Sequence, residues 1–169
     1  MTEEQFWELV SRDYPDQDQQ QLQARLTEKL QSLSDDELAE FDKHFARQLR
    51  LSYSWDLWGA AYIIAGIDSD YGFAEFRNFL VTLGKERYQA ACNAADSLGE
   101  LEVWPQLNGY AYPFVEEIDL LAGQLYETRT GKELPFVPSG LSQPKGKRFN
   151  DQPKALRKLY PKLCARFPF

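Results

Sequence analysis

At 169 residues, with 43% hydrophobic and 14% aromatic side chains, the chain is long enough for one domain with a real core and short for two. Its net charge of −7 is uneven: residues 1–127 carry 24 acids and 9 bases, residues 128–169 carry 2 acids and 10 bases. The acidic body argues against nucleic acid, and the longest apolar run, Leu57–Ile67, is about half of what spans a bilayer. Glu3 and Glu4 stand where a secretion signal needs positive charge, and Cys92 and Cys164 form no CxxC pattern. The expectation is a reduced, cytoplasmic protein with no membrane segment. The basic C-terminal segment packs back onto the acidic body, or the acidic face attracts a basic partner; the charges alone leave both open.

Thr2 ahead of Glu3 and Glu4 predicts a first helix, with Phe6, Leu9 and Val10 as its apolar face, and Tyr14-Pro15-Asp16 breaks it. Leu22, Leu26 and Leu30 predict an amphipathic helix from Asp18 to Ser32, whose other face is rich in glutamine. Ser34-Asp35-Asp36-Glu37 is a capping box, and Leu38, Phe41, Phe45 and Leu49 carry the helix behind it to Leu51. His44, the only histidine, lies on that helix and reads as structural. Ser54 caps a helix that is apolar nearly all round, from Trp55 to Ala65, with Gly66 as its stop. Asp68 or Ser69 starts the next, striped by Phe73, Phe76, Phe79, Leu80 and Leu83 and ended by Gly84. A shorter helix follows over Lys85–Asn93, then a turn at Ala95–Gly99 and a connector around Trp104-Pro105.

Tyr110 to Thr128 is predicted as one long helix with Pro113 near its start, and Gly131 ends it. Residues 134–152, rich in Pro, Gly, Ser and Lys, read as an ordered loop or mobile arm. A last helix is expected near Lys154–Ala165, with Pro161 kinking or splitting it. No alternating pattern persists long enough to require a sheet. The prediction is a single all-α domain over residues 1–169, a bundle of about seven to eight helices with a loop-rich C-terminal arm.

Several stretches in order resemble one family. They are Phe6-Trp7, the LWGAAYIIAG of Leu57–Gly66, the SDYGFAEFRNFLVTLG of Ser69–Gly84, Ala91–Leu98, the TGKELP of Thr130–Pro135, and Tyr160–Phe167. Together they are similar to the domain of unknown function 4240 family, uncharacterised and mainly bacterial. Tyr71 stands where that family has a second Asp of its SDDGF element, and Phe79 where it has Trp. The Phe is a packing substitution; the Tyr removes a carboxylate and weakens a metal reading. The resemblance supports the fold and carries over no activity.

The polar island Asp68-Ser69-Asp70 reads first as a helix cap, with partner binding, metal binding or an ion pair to Arg77 as alternatives. Arg77 lies two turns beyond Asp70 and is expected to pair with an acid, Asp56 or Asp68, or to cap a carbonyl. Trp7, Trp58 and Trp104 read as core, whereas Tyr53 and Trp55 stand at the exposed start of their helix, where aromatics anchor partners. The candidate binding set is therefore Tyr53, Trp55, Asp56, Asp68, Ser69, Asp70 and Arg77, with no catalytic residue, metal or cofactor assigned. No P-loop, GxGxxG, HExxH or nucleophile elbow is present. The reading favours a non-enzymatic protein that binds another protein, in its specific form an immunity- or antitoxin-like cover for a basic toxin or effector. The alternative is a small-molecule or phosphate-dependent enzyme near Asp68, Asp70 and Arg77.

Overall fold

A short polar side chain opens each of the first five helices in the computed structural model, which describes residues 1–137 and 141–169. Thr2 caps α1 (Glu3–Val10), Asp18 caps α2 (Gln19–Gln31), Ser34 caps α3 (Asp35–Leu51), Ser54 caps α4 (Trp55–Ala65) and Ser69 caps α5 (Asp70–Thr82). Each accepts a bond from a first-turn N–H that has no partner inside the helix. Thr2 with Gln5 and Ser34 with Glu37 close reciprocal capping boxes, and the Ser34 bonds hold the Glu37 carboxyl below its ordinary pKa. Gly66 ends α4 at φ 67°, a backbone that branched side chains resist. Beyond these lie α6 (Lys85–Asn93), a 3₁₀ segment (Ala95–Glu100), a second 3₁₀ turn (Ile118–Leu120), α7 (Leu121–Thr130), α8 (Pro153–Leu159) and α9 (Pro161–Arg166). The helix-dominated architecture is the one predicted.

The predicted helix over Tyr110–Thr128 is corrected. Gln106–Leu107 (β1) and Tyr110–Ala111 (β2) form a small antiparallel hairpin, with Gln106 opposite Ala111 and Leu107 opposite Tyr110. Its turn is Asn108-Gly109, both at positive φ (54° and 82°), the Asn-Gly pair that two-residue hairpins favour. Pro113 then holds Tyr112 extended, and helix begins only at Leu121. The predicted apolar positions Val115, Ile118 and Leu121 are buried all the same. The last predicted helix divides at Tyr160, with Pro153 and Pro161 in the first turns of α8 and α9. Gly84 (φ 94°) precedes α6 rather than ending α5, which finishes at Thr82.

A single apolar cluster runs through these elements. Phe6 of α1 meets Phe41 and Phe45 of α3 at centroid distances of 5.2 and 6.1 Å. A second ladder steps from Trp58 through Phe73, Phe76 and Phe79 to Trp104. Among the described residues no helix is long and apolar enough to cross a membrane.

The basic C-terminal segment lies on the acidic body. Asp96 accepts from the backbone N–H of Lys162 and of Leu163 (3.1 and 2.9 Å) and so caps the start of α9. Lys162 pairs with Glu100, and Arg166 donates to the Leu101 carbonyl at 2.5 Å. Tyr160 donates to the Asp56 carbonyl at 2.8 Å, a link across 104 residues. The chain around Lys145 forms a parallel bridge with Ser54, through Trp55 N–H to the Lys145 carbonyl and Lys145 N–H to the Tyr53 carbonyl, both 2.9 Å. Pro138–Gly140, part of the predicted loop or arm, lie outside the described residues.

Candidate functional site

Three of the seven predicted site residues meet where the α3–α4 junction faces the start of α5. The Tyr53 hydroxyl donates to Asp70 Oδ1 at 2.8 Å, and the Arg77 guanidinium lies over the Tyr53 ring, 4.5 Å from its centroid. Arg77 also packs on Phe73 (5.0 Å) and donates through Nη1 to the Leu49 carbonyl at 2.7 Å, near the end of α3. Burial lowers the Arg77 pKa, opposed by the Tyr53 hydroxyl and Asp70. Burial and the bond to Asp70 raise that of Tyr53. The ion pair expected between Arg77 and Asp56 or Asp68 does not form among the described residues. Arg77 takes the other expected course, capping a helix carbonyl, and stacks on two rings, which suits a weakly hydrated planar cation. Its Nε is buried with no partner.

The other four residues go elsewhere. Ser69 Oγ accepts from Gly72 N–H at 3.1 Å, the cap itself, and Asp68 stands exposed ahead of the helix. Asp56 turns toward the 3₁₀ segment, where its carboxylate accepts from Ala95 N–H at 3.2 Å. Trp55 is half-buried: it stacks on Trp58 at 4.9 Å, with Arg148 over its ring at 5.4 Å and Phe149 at 6.3 Å. The expected exposed anchor is thus partly covered by the chain's own arm. His44 is also occupied, its Nε2 3.2 Å from the Met1 carbonyl and its ring stacked on Phe6. Among the described residues no three His, Cys, Asp or Glu side chains gather as a metal would need.

Two adjoining clefts lie on the side of the hairpin. One of about 720 Å³ is lined by Asp16, Glu102, Val103, Tyr110, Arg166 and Phe167, and one of about 400 Å³ adjoins it along Tyr14, Pro15, Arg87 and Val103. Tyr110 is 78% exposed and Leu107 52%. Of the three cations beside these clefts, Arg12, Arg87 and Arg166, two are turned to the backbone. Arg166 bonds Leu101; Arg12 donates to the Pro15 and Gln17 carbonyls and to Thr82 Oγ1, with its guanidinium over Phe79. Burial lowers the Arg12 pKa to about 10. The sequence reading places Gln106–Leu107 in a connector and Tyr110–Ala111 at the start of a helix, and so misses this edge; Asn108-Gly109 is the signal available.

A further acid pair joins Asp42 of α3 to Asp119 of the second 3₁₀ turn. Burial and the charge of Asp119 raise the pKa of Asp42, while Asp119 accepts from Asn78 Nδ2 at 3.1 Å. The folded chain holds the Asp42 proton more tightly than the unfolded chain does. Its contribution to stability therefore falls as the pH rises from the unfolded value, about 3.8, through the higher folded one. Asp42→Asn is expected to melt above the native chain at pH 7, the gap closing in acid; thermal melts by circular dichroism across that range check it.

Searches of curated proteins and of solved structures each returned no match. A family model, described as Protein of unknown function (DUF4240), matches residues 1–128, which include α1–α6, the hairpin and most of α7. The similar elements at Thr130–Pro135 and Tyr160–Phe167 lie beyond the matched residues. With about three quarters of its length matched, the chain belongs to the DUF4240 family.

Proposed function

We propose that the chain acts in the cytoplasm by binding another protein, and that the hairpin edge of its acidic body is the contact surface. The observation that carries this reading is the exposure of Tyr110 and Leu107 beside a cleft edged by Asp16 and Glu102. Exposed aromatic anchors next to acids suit a basic partner, because the rings supply buried area and the charges steer the approach. Arg12 and Arg166 do little to offset those acids at the rim, since their guanidiniums are held by backbone carbonyls. The specific form is an immunity- or antitoxin-like protein that covers a basic toxin or effector. The rival, a phosphate-dependent enzyme at Asp68, Asp70 and Arg77, fits less well, because Arg77 lies against two rings and bonds the end of α3.

The test is capture of a basic partner from the source cell by immobilised protein at about 50 mM and about 500 mM salt. The expected result is one basic protein retained at low salt, released at high salt, and lost with Tyr110→Ala or Glu102→Lys. Nothing reproducible at low salt, or capture indifferent to both substitutions, overturns the reading.

A further inference from the structure

One cleft has the opposite sign from the body that holds it. Lys43, His44, Arg47 and Arg50 of α3 line an open space of about 560 Å³, bordered on another side by Phe136 and Val137 from the segment after α7. Lys43, Arg47 and Arg50 follow at i, i+4 and i+7, so they share one helix face over roughly 10 Å. These are three of the nine bases in residues 1–127, against 24 acids. Glu40, the acid in the cleft, is engaged by the Met1 amino group, which leaves the cationic side chains in excess.

Two of the three bases, Lys43 and Arg47, are not explained by pairing within the fold. Arg50 interacts within the protein, and its place in the last turn suits the helix dipole. Lys43 and Arg47 lie further in, and neither has an ion-pair or hydrogen-bond partner among the described residues. Like charges one turn apart cost a helix about 0.2–0.5 kcal/mol, and here no acid between them offsets it. An anion in the cleft would. Phe136 adds a second feature: 89% of this aromatic is exposed, at the edge of the same cleft. An exposed ring beside a row of cations offers a face for a planar group whose charged tail lies along the helix. The volume falls within the range of small-ligand pockets.

We propose that this cleft binds a nucleoside polyphosphate, its phosphates on Lys43 and Arg47 and its base against Phe136. The overall acidity of the body does not forbid this. Screening confines distant charges to about 8–10 Å, so a small anion responds mainly to the nearby bases, whereas a long nucleic acid would meet the acids as well.

The probes are ADP, inorganic pyrophosphate and adenosine, each titrated calorimetrically into the full chain. ADP is expected to bind and adenosine not. Arg47→Glu and Lys43→Glu should each weaken ADP at least about tenfold while melting like the native chain, both positions being exposed. Phe136→Ala should weaken ADP by about three- to tenfold and leave pyrophosphate unchanged. No heat from ADP, or ADP binding unaltered by both charge reversals, overturns the site. Pyrophosphate binding as tightly as ADP, with Phe136→Ala silent, overturns the nucleotide assignment.

Discussion

A chain ending at Thr128 is expected to show no cooperative melting transition, although the family match ends at that residue. Leu156, Tyr160 and Leu163 are each at most 2% exposed, and Cys164 is 8% exposed. Tyr160 meets α4, and α9 packs on the 3₁₀ segment and α4, both within the matched region. Removing the three large side chains alone forfeits about 1.5–3 kcal/mol each, which together approaches the whole stability of an ordinary domain. Cutting there also removes the partners of Asp56 and Asp96 and the final turn of α7, whose Arg129 bonds the Gln31 and Leu33 carbonyls. Circular dichroism melts and proton spectra of the truncated and full chains check this. A sharp transition in the truncated chain would place the stabilising core within residues 1–128.

Gly59→Ala should destabilise the chain by about 1–3 kcal/mol, the range for overpacking a filled core. A Cβ at Gly59 would stand 2.3 Å from the Tyr160 hydroxyl oxygen and 2.8 Å from the ring carbon that bears it. Tyr160 cannot easily yield, because its ring is buried and its hydroxyl bonds the Asp56 carbonyl. Alanine is the better helix former by about 0.8–1 kcal/mol, so the clash must exceed that gain before a loss appears. Relief by Tyr160→Phe separates the two effects. In that background the Gly59→Ala penalty should shrink, because the closest atom has gone. Denaturant melts of the four chains give the coupling. An equal penalty in both backgrounds would mean the strain lies elsewhere than at the hydroxyl.

The caps and stripes of α1 to α5 were legible because local chemistry settles them: Thr2, Asp18, Ser34, Ser54 and Ser69 each lie just ahead of an apolar helical period. The hairpin was written in the sequence too, as Asn108-Gly109, but its strands are two residues each and too short to show alternation. The apolar period holds as helix over Leu121–Tyr126 in α7 and misleads from Phe114 to Val115, where a segment outside any helix places Val115 in the core just as well. In the candidate site, Ser69 as a cap followed from position alone. The Tyr53–Asp70 bond and the placement of Arg77 on Leu49 depend on how α3 and α5 cross, which no local pattern records. Trp55 read as exposed because nothing in its own helix indicates that Arg148 and Phe149 will come to rest on it.

The link from Tyr160 to Asp56 also bears on how the chain is made. A ribosome releases the N-terminus first, so α1 to α6 emerge well before α8 and α9. Until those last helices appear, Gly59 and Gly99 present uncovered notches, and Asp96 has no helix to cap. Helices with local contacts form quickly, but closure across 104 residues must wait until Tyr160 has left the ribosome. A nascent chain stalled short of Tyr160 would therefore be a ready client for chaperones and proteases, and one with α8 and α9 released would be less so.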